Sequence, residues 1–156
     1  MKKNIILLLA LILLQTVEAK VVVISDIDDT IRQSNVLDYL DALKRLRGTP
    51  AAFDDLKTIY LALNQESKSS SSSSMAIAYI SASVKFLYDA KKWVNLKKFP
   101  VGKVIQRPHI YDNKKQFKIL NIENFLKENY KTGDELFLFG DNGEQDPEIY
   151  REVLKN

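Results

Sequence analysis

The sequence contains no cysteine and a single histidine, His109, among its 156 residues. Without cysteine the chain forms neither disulfides nor thiolate metal sites, and one histidine excludes zinc sites that need several. Lysine and arginine together number 23 against 20 aspartates and glutamates, a balance that is not typical of nucleic-acid-binding proteins. No nucleic-acid partner is therefore expected. His109 follows Pro108, and we expect it in a loop.

The sequence also has no apolar run long enough to span a bilayer comfortably. The longest such segment, residues 5–14, follows Lys2 and Lys3 and precedes a small-residue cleavage site that ends at Ala19. This pattern is typical of a removable signal peptide. We therefore interpret residues 1–19 as a signal peptide and residues 20–156 as one domain. The mature chain is expected to be exported to a periplasm or the medium, without a transmembrane span.

The most informative stretch is residues 20–30, where an apolar run leads directly into three aspartates and a threonine. Four β-forming residues without polar alternation predict a strand of a parallel sheet that is covered on both faces. In such sheets ligands bind beyond the carboxyl ends of the strands. Asp26 and Asp28 lie there, and side chains two residues apart on extended chain point to the same side. Two carboxylates this close repel each other unless a cation or a shared proton intervenes.

Strand and helix patterns then alternate along the chain. Strands are predicted near residues 21–25, 75–80, 103–105 and 135–139, and a serine-rich connection over residues 67–74. Helices are predicted over residues 38–47 and after residues 54, 83, 113 and 146. This order predicts an α/β fold, a Rossmann-like parallel sheet of about four strands with helices on both faces and little or no cap domain.

The helices are expected to bury one face each against the sheet. Ser83 is expected to cap the helix that follows it, and Asn113 to cap the next helix through a capping-box pattern. The side chains predicted to point inward are Leu56, Ile59, Tyr60 and Leu63 in one helix, Phe86, Ala90, Trp93 and Val94 in the next, and Ile119, Ile122, Leu126 and Tyr130 in the third.

Polar side chains follow several of the predicted strands. Because the carboxyl ends of parallel strands share one edge of the sheet, these residues are expected to converge there, together with a lysine near a helix start. The converging residues are Asp26, Asp28, Ser81, Lys118, Asp141 and Asp146. Such a set of acids, a hydroxyl and a lysine is typical of an active site.

These residues also resemble the motifs of a known superfamily. Asp26-x-Asp28-x-Thr30, a serine that ends a strand, a lysine on a helix and Gly140-Asp141-x4-Asp146 resemble the four motifs of the haloacid dehalogenase phosphohydrolases. The longer strings at residues 26–31, 34–38, 79–83 and 140–150 resemble the catalytic domain of the actin-patch type phosphatidate phosphatases and their bacterial relatives. The resemblance covers nearly all of the chain after residue 19.

The resemblance implies a role for each residue. Asp26 would attack phosphorus and form an aspartyl phosphate, and Asp28 would protonate the leaving alcohol and then activate water. Thr30, Ser81 and Lys118 would bind the phosphoryl group, with Lys114 and Lys115 as alternatives to the last. Mg²⁺ would be held by Asp26, the Asp28 carbonyl, Asp141 and Asp146, the last of which has a purely structural alternative as a helix cap.

The implied function is an exported, Mg²⁺-dependent phosphomonoester hydrolase of the phosphatidate phosphatase type, acting on a phosphomonoester such as phosphatidate at a membrane surface. A phosphatase for soluble or polymeric phosphomonoesters and a non-catalytic exported module that binds phosphate or phospholipid are the alternatives. A phospho-acceptor receiver fits less well, because its acceptor aspartate lies on a later strand. Six lysines are expected to form a solvated face rather than to contact lipid headgroups: Lys85, Lys91, Lys92, Lys97, Lys98 and Lys103.

Overall fold

The computed structural model describes residues 19–34, 49–69, 75–143 and 145–155. Its strands are β1 (Val21–Asp26), β2 (Ala76–Val84), β3 (Lys103–Arg107) and β4 (Glu135–Phe139). Its helices are α1 (Asp54–Ser69), α2 (Ala90–Leu96), α3 (Lys114–Asn129) and α4 (Asp146–Val153). The predicted signal peptide up to residue 18, the helix predicted over residues 38–47 and the serines at 70–74 lie outside the described residues.

The four strands form one parallel sheet in the order β3-β2-β1-β4. β1 is flanked on both sides, with Asp26 paired to Ile80 of β2 and Ser25 to Phe139 of β4. Only residues 108–113 connect β3 to α3, so the chain has no room for a cap domain at that point. In the described ranges, no helix has both the length and the apolarity that a bilayer span requires.

Two apolar clusters cover the two faces of the sheet. Val23 of β1 packs in one cluster with side chains of α1 and α2, including Tyr60 and Trp93. Val22 and Ile24, which point the opposite way, pack in the other cluster with α3 and α4. The predicted α/β fold with helices on both faces is confirmed. All of these elements lie within residues 20–156, so this segment carries the complete described fold.

The region after β2 differs from the prediction. β2 continues to Val84 because Ser81 and Val84 pair with β3 across a bulge, and α2 begins only at Ala90. Its cap is Asp89, whose side chain accepts a hydrogen bond from the Lys92 backbone N–H. The prediction that Ser83 caps this helix is therefore wrong. Phe86, predicted to point inward, lies in the connecting turn and is 73% exposed.

Two further side chains predicted in the core are partly exposed. In α1 the buried face centres on Tyr60, so its neighbour Ile59 turns away from the sheet and is 44% exposed. Tyr130 lies beyond the last residue of α3 and is 38% exposed. Asn113 caps α3 as predicted, because its side chain accepts a hydrogen bond from the Gln116 backbone N–H.

Candidate active site

Asp26 ends the central strand β1 and lies beside a buried lysine. Lys118, in the second turn of α3, places its Nζ 2.7 Å from Asp26 Oδ1 and 2.6 Å from Asp146 Oδ1. Among the three lysines proposed for this position, Lys118 is the one brought to the acids. Lys114 is exposed, and Lys115 pairs with Glu152 at the surface.

Three aspartates form a compact acidic cluster at this edge. Carboxylate oxygens of Asp26, Asp141 and Asp146 all lie within 4.8 Å of one another. Asp26 Oδ2 is buried and has no hydrogen-bond partner among the described residues, which is unusual for a polar atom inside a protein. Carboxylate oxygens are the ligands that Mg²⁺ prefers. The donor set therefore fits a small, hard divalent cation.

Burial and neighbouring charges shift the pKa values of Asp26 and Lys118. Burial raises the pKa of Asp26 well above its ordinary value; Lys118 lowers it, and Asp146 and Asp28 raise it further. Burial alone would lower the pKa of Lys118, but Asp26 and Asp146 raise it above its ordinary value, so this lysine is protonated. Within the described residues Lys118 contacts two of the three acids, Asp26 and Asp146, and a bound cation would add positive charge to the cluster.

Asp28 lies in a separate set of hydrogen bonds. Its Oδ1 accepts from Arg32 Nη1 at 2.9 Å, its Oδ2 accepts from the Ser81 hydroxyl at 2.7 Å, and the Tyr88 hydroxyl donates to it at 3.1 Å. The Arg32 guanidinium also stacks on the Tyr88 ring, 4.0 Å from its centroid. The Asp28 side chain therefore points into this network, and the predicted metal role of Asp28 falls to its backbone carbonyl alone.

A tight turn after β1 positions these groups. Asp29 has a φ of 60°, a left-handed conformation that aspartate tolerates better than most residues. Its backbone N–H donates to the Ser34 hydroxyl, and its carboxylate accepts from the Ser34 backbone N–H at 2.8 Å. Thr30 is buried in the same turn, and its hydroxyl has no hydrogen-bond partner within the described residues. The predicted role of Thr30 in binding the phosphoryl group remains a prediction.

Ser81 stands at the predicted edge but is engaged with the acid. Its hydroxyl donates to Asp28 and accepts from the Ser83 backbone N–H at 3.1 Å. A serine hydroxyl has one hydrogen to donate. Contact between Ser81 and a phosphoryl oxygen therefore requires this hydrogen to turn away from Asp28, and the predicted role of Ser81 remains a prediction.

Asp146 does not act as the helix cap that the sequence offered as an alternative. The N-cap of α4 is Gln145, which makes no side-chain capping bond, and Asp146 is the first helical residue before Pro147. The Asp146 side chain is fully buried and points to Lys118 instead. Its position beside Asp26 supports the predicted metal role.

Gly140 sets how closely β4 approaches α4. A Cβ atom at this position would lie 2.7 Å from Asp146 Cβ and 2.9 Å from a ring carbon of Tyr150. Gly140→Ala is therefore expected to lower the free energy of unfolding by about 1–3 kcal/mol and to weaken cation binding, since Asp146 must shift. Chemical denaturation and metal titration of the variant measure both effects. Wild-type stability and affinity in this variant would contradict the close packing.

An open cavity of about 600 Å³ lies beside the acids. Lys118 and Ile119 of α3, Gln145 and Ile149 of α4, and Gly143 of the intervening loop contribute to its wall. Asp26 itself is only 2% exposed. Lys118 lines this cavity, whereas Asp26, Asp141 and Asp146 do not.

Sequence reasoning missed two members of the site, Arg32 and Tyr88. Arg32 is four residues after Asp28, a spacing at which a tight turn can return one side chain to the other. Tyr88 carried no local signal, because it meets Asp28 only through the fold, 60 residues apart in the chain.

Comparison with known proteins identifies the family. The family model described as the catalytic domain of phosphatidate phosphatase APP1 matches residues 21–156. No curated protein and no solved structure matches the chain. The match begins at the first residue of β1 and runs through α4, so it includes every site residue described above. The resemblance predicted from the Asp26 and Asp141 motifs is thereby confirmed, and the chain belongs to the family of the phosphatidate phosphatase APP1 catalytic domain.

Proposed function

We propose that the protein is an exported, Mg²⁺-dependent phosphatidate phosphatase that works through an aspartyl phosphate on Asp26. One observation carries the proposal: the Asp26 carboxylate lies at the end of a central strand, 2.7 Å from a buried ammonium and within a cluster of three acids. A nucleophile that attacks a phosphate dianion needs compensating positive charge at this point. Family membership supports phosphatidate as the substrate.

In the first half-reaction an Asp26 oxygen attacks phosphorus. The bond between phosphorus and the ester oxygen breaks, and its electron pair leaves with the alcohol. That oxygen takes a proton from Asp28, so the diacylglycerol departs as a neutral alcohol. Lys118 and the Thr30 hydroxyl hold phosphoryl oxygens, and the ammonium offsets their charge.

In the second half-reaction Asp28, now a carboxylate, takes a proton from water. The water oxygen attacks phosphorus, the bond from phosphorus to Asp26 breaks, and inorganic phosphate is released. Mg²⁺ held by Asp26, Asp141 and Asp146 would neutralise charge on the phosphoryl oxygens. The set of donors around Asp28 supports the second step, since it holds the Asp28 carboxylate in one orientation between the two half-reactions.

Phosphate release by residues 20–156, with Mg²⁺ or EDTA, tests the proposal. Phosphatidate in mixed micelles is compared with p-nitrophenyl phosphate and nucleotides. Mg²⁺-dependent release that favours phosphatidate is the expected result. Release from soluble esters alone would support the phosphatase mechanism but contradict phosphatidate as the substrate. No release by a folded chain would contradict both the mechanism and the substrate. Export is tested separately, by whether the full chain expressed in a bacterium begins at Lys20 outside the cytoplasm.

Arg32 offers a test of how Asp28 is held. Arg32→Met keeps the side-chain volume but leaves the buried Asp28 carboxylate without its cation, 2.9 Å away in the native protein. We expect a loss of about 3 kcal/mol in unfolding free energy and a fall in kcat of about 10- to 100-fold. Arg32→Lys restores the charge but not the stacking on Tyr88, and is expected to recover part of kcat. Equal kcat in both variants and wild type would contradict a positioning role.

A further inference from the structure

Three large apolar side chains are exposed at the edge of the sheet that carries the site. Phe86 in the β2–α2 connection is 73% exposed, and Ile110 and Tyr111 in the β3–α3 connection are 66% and 79% exposed. Here these three residues are named the rim patch. Both connections begin at the carboxyl ends of their strands, and Asp26 and Asp141 also lie at the carboxyl ends of strands. The rim patch therefore faces the same side of the molecule as the acids.

The two connections are tied together by a buried arginine. Arg107, which pairs with Val84 where the two strands end, donates through Nε to the Ala82 carbonyl. Its Nη1 donates to the carbonyls of Ile110 and Asp112, at 2.9 and 2.8 Å. A buried guanidinium thus holds the backbone of the β3–α3 connection against the end of β2. The backbone of Ile110 is thus held in place while its side chain is exposed.

The tip of the β3–α3 connection has further internal contacts. The His109 ring stacks on the Tyr111 ring, with centroids 5.1 Å apart and planes 3° apart. The His109 backbone N–H donates to Asp112 Oδ2 at 3.1 Å. A short loop with this many contacts loses little conformational entropy when its exposed side chains bind a partner.

The charge around the rim patch is positive. Residues 85–92 and 108–116 together contain two aspartates and five lysines, one of which, Lys115, pairs with Glu152. Both aspartates accept hydrogen bonds from backbone N–H groups, Asp89 from Lys92 and Asp112 from His109. Of the six lysines that the sequence assigned to a solvated face, Lys85, Lys91 and Lys92 lie in this region. Lysines beside exposed aromatic and aliphatic side chains match an anionic lipid interface.

We propose that the rim patch is the surface by which the protein docks on anionic lipid bilayers, with the site facing the headgroups. This inference rests on the proposed function, because a phosphatidate phosphatase has to reach a substrate that resides in a bilayer. Its geometry favours lipid over a protein partner: an aromatic side chain offers roughly 150–250 Å², so three loop-tip residues fall short of the roughly 800 Å² of a specific protein interface.

Vesicle co-sedimentation of residues 20–156 tests the inference. The segment omits residues 1–19, whose apolar run would bind vesicles by itself. Vesicles of phosphatidylcholine with phosphatidylglycerol carry negative charge but no substrate, so binding is read without turnover. The variants are Phe86→Ser and the double variant Ile110→Ser with Tyr111→Ser. The control is Val101→Ser, an apolar-to-polar change at a residue that is 97% exposed and precedes β3, at the opposite end of the strands from the rim patch.

We expect binding to the anionic vesicles that weakens several-fold in Phe86→Ser and about tenfold in the double variant. Binding should weaken with added salt and be unchanged in Val101→Ser. No binding by the wild-type chain, or equal binding by all variants, would overturn the inference. So would loss of self-association in the double variant, measured by ultracentrifugation, with vesicle binding intact.

Hydrolysis of p-nitrophenyl phosphate separates this inference from the proposed function. The rim variants lack no group assigned to the chemistry, so their turnover of this soluble ester should equal that of the wild type. A chain that binds anionic vesicles through the rim patch but hydrolyses no phosphomonoester would support the docking surface and contradict the proposed function. Normal hydrolysis of this ester without vesicle binding would contradict the docking surface and support the phosphatase mechanism.

Discussion

Asp26→Asn is expected to lower the rate of phosphate release by at least about 10⁴-fold, because an amide oxygen is a poor nucleophile toward phosphorus. The fold should survive, since the new side chain has the same size and Lys118 keeps Asp146 as a partner at 2.6 Å. The substitution also removes one of three clustered negative charges. Steady-state phosphate release and thermal unfolding of the same preparation measure the two effects.

Asp29→Asn is the matched control for this prediction. It makes the same chemical change three residues later, where the carboxylate accepts a hydrogen bond from the Ser34 backbone N–H. An asparagine oxygen accepts the same bond, so we expect less than about a tenfold fall in rate. Turnover near the wild-type rate in Asp26→Asn, with mass spectrometry showing that the asparagine is intact, would exclude Asp26 as the nucleophile.

Lys118→Met is expected to lower the free energy of unfolding by about 3–5 kcal/mol in EDTA, because it leaves buried carboxylates without their ammonium. Lys118 and both of its partners are almost completely buried. The pKa of Lys118 is raised in the folded protein, so its stabilising effect is fully present below its unfolded pKa and is lost only as the pH rises through the higher folded value. Lys118 itself therefore adds no pH dependence near neutral pH, but its removal raises the already raised pKa of Asp26 further, so the loss of stability should grow as the pH rises.

Mg²⁺ should recover part of the stability of Lys118→Met, because the cation supplies charge to the same acids. Lys115→Met is the control on the same helix: its partner Glu152 is half exposed, and the expected cost is below about 1 kcal/mol. Denaturation curves of both variants in EDTA and in Mg²⁺ give the comparison. Unchanged stability of Lys118→Met in EDTA would mean that the acids do not depend on this lysine for charge.

The convergence of acids that the sequence predicted at one edge of the sheet depends on strand topology. Asp26, Asp28 and Asp141 follow apolar strands, and parallel strands necessarily end at one edge. Lys118 could be placed there because the helix start at Asn113 was recognisable from its capping pattern. These inferences use only the directions of chain segments, which hydrophobic patterns largely determine.

The features that the sequence did not predict depend on contacts between distant residues. The extension of β2 to Val84 comes from pairing with Arg107 of β3, which overrides the helix-capping tendency of Ser83. The exposure of Phe86 follows directly, since the chain turns where a helix was expected. In the same way, the Asp146 side chain bonds to Lys118, 28 residues away, instead of capping its helix. Local propensity contains no information about such partners.

The position of β1 inside the sheet has a consequence for partial unfolding. β1 has neighbours on both sides, whereas β4, which leads to Asp141, lies at an edge of the described sheet. Amide hydrogens of an edge strand generally exchange through smaller local openings than those of an interior strand. A fluctuation that frees β4 and α4 would separate Asp141 and Asp146 from Asp26 while Asp26 keeps its pairing to β2. A cation bound at these acids would then escape before Asp26 loses its position, and its release would mark the first step of unfolding.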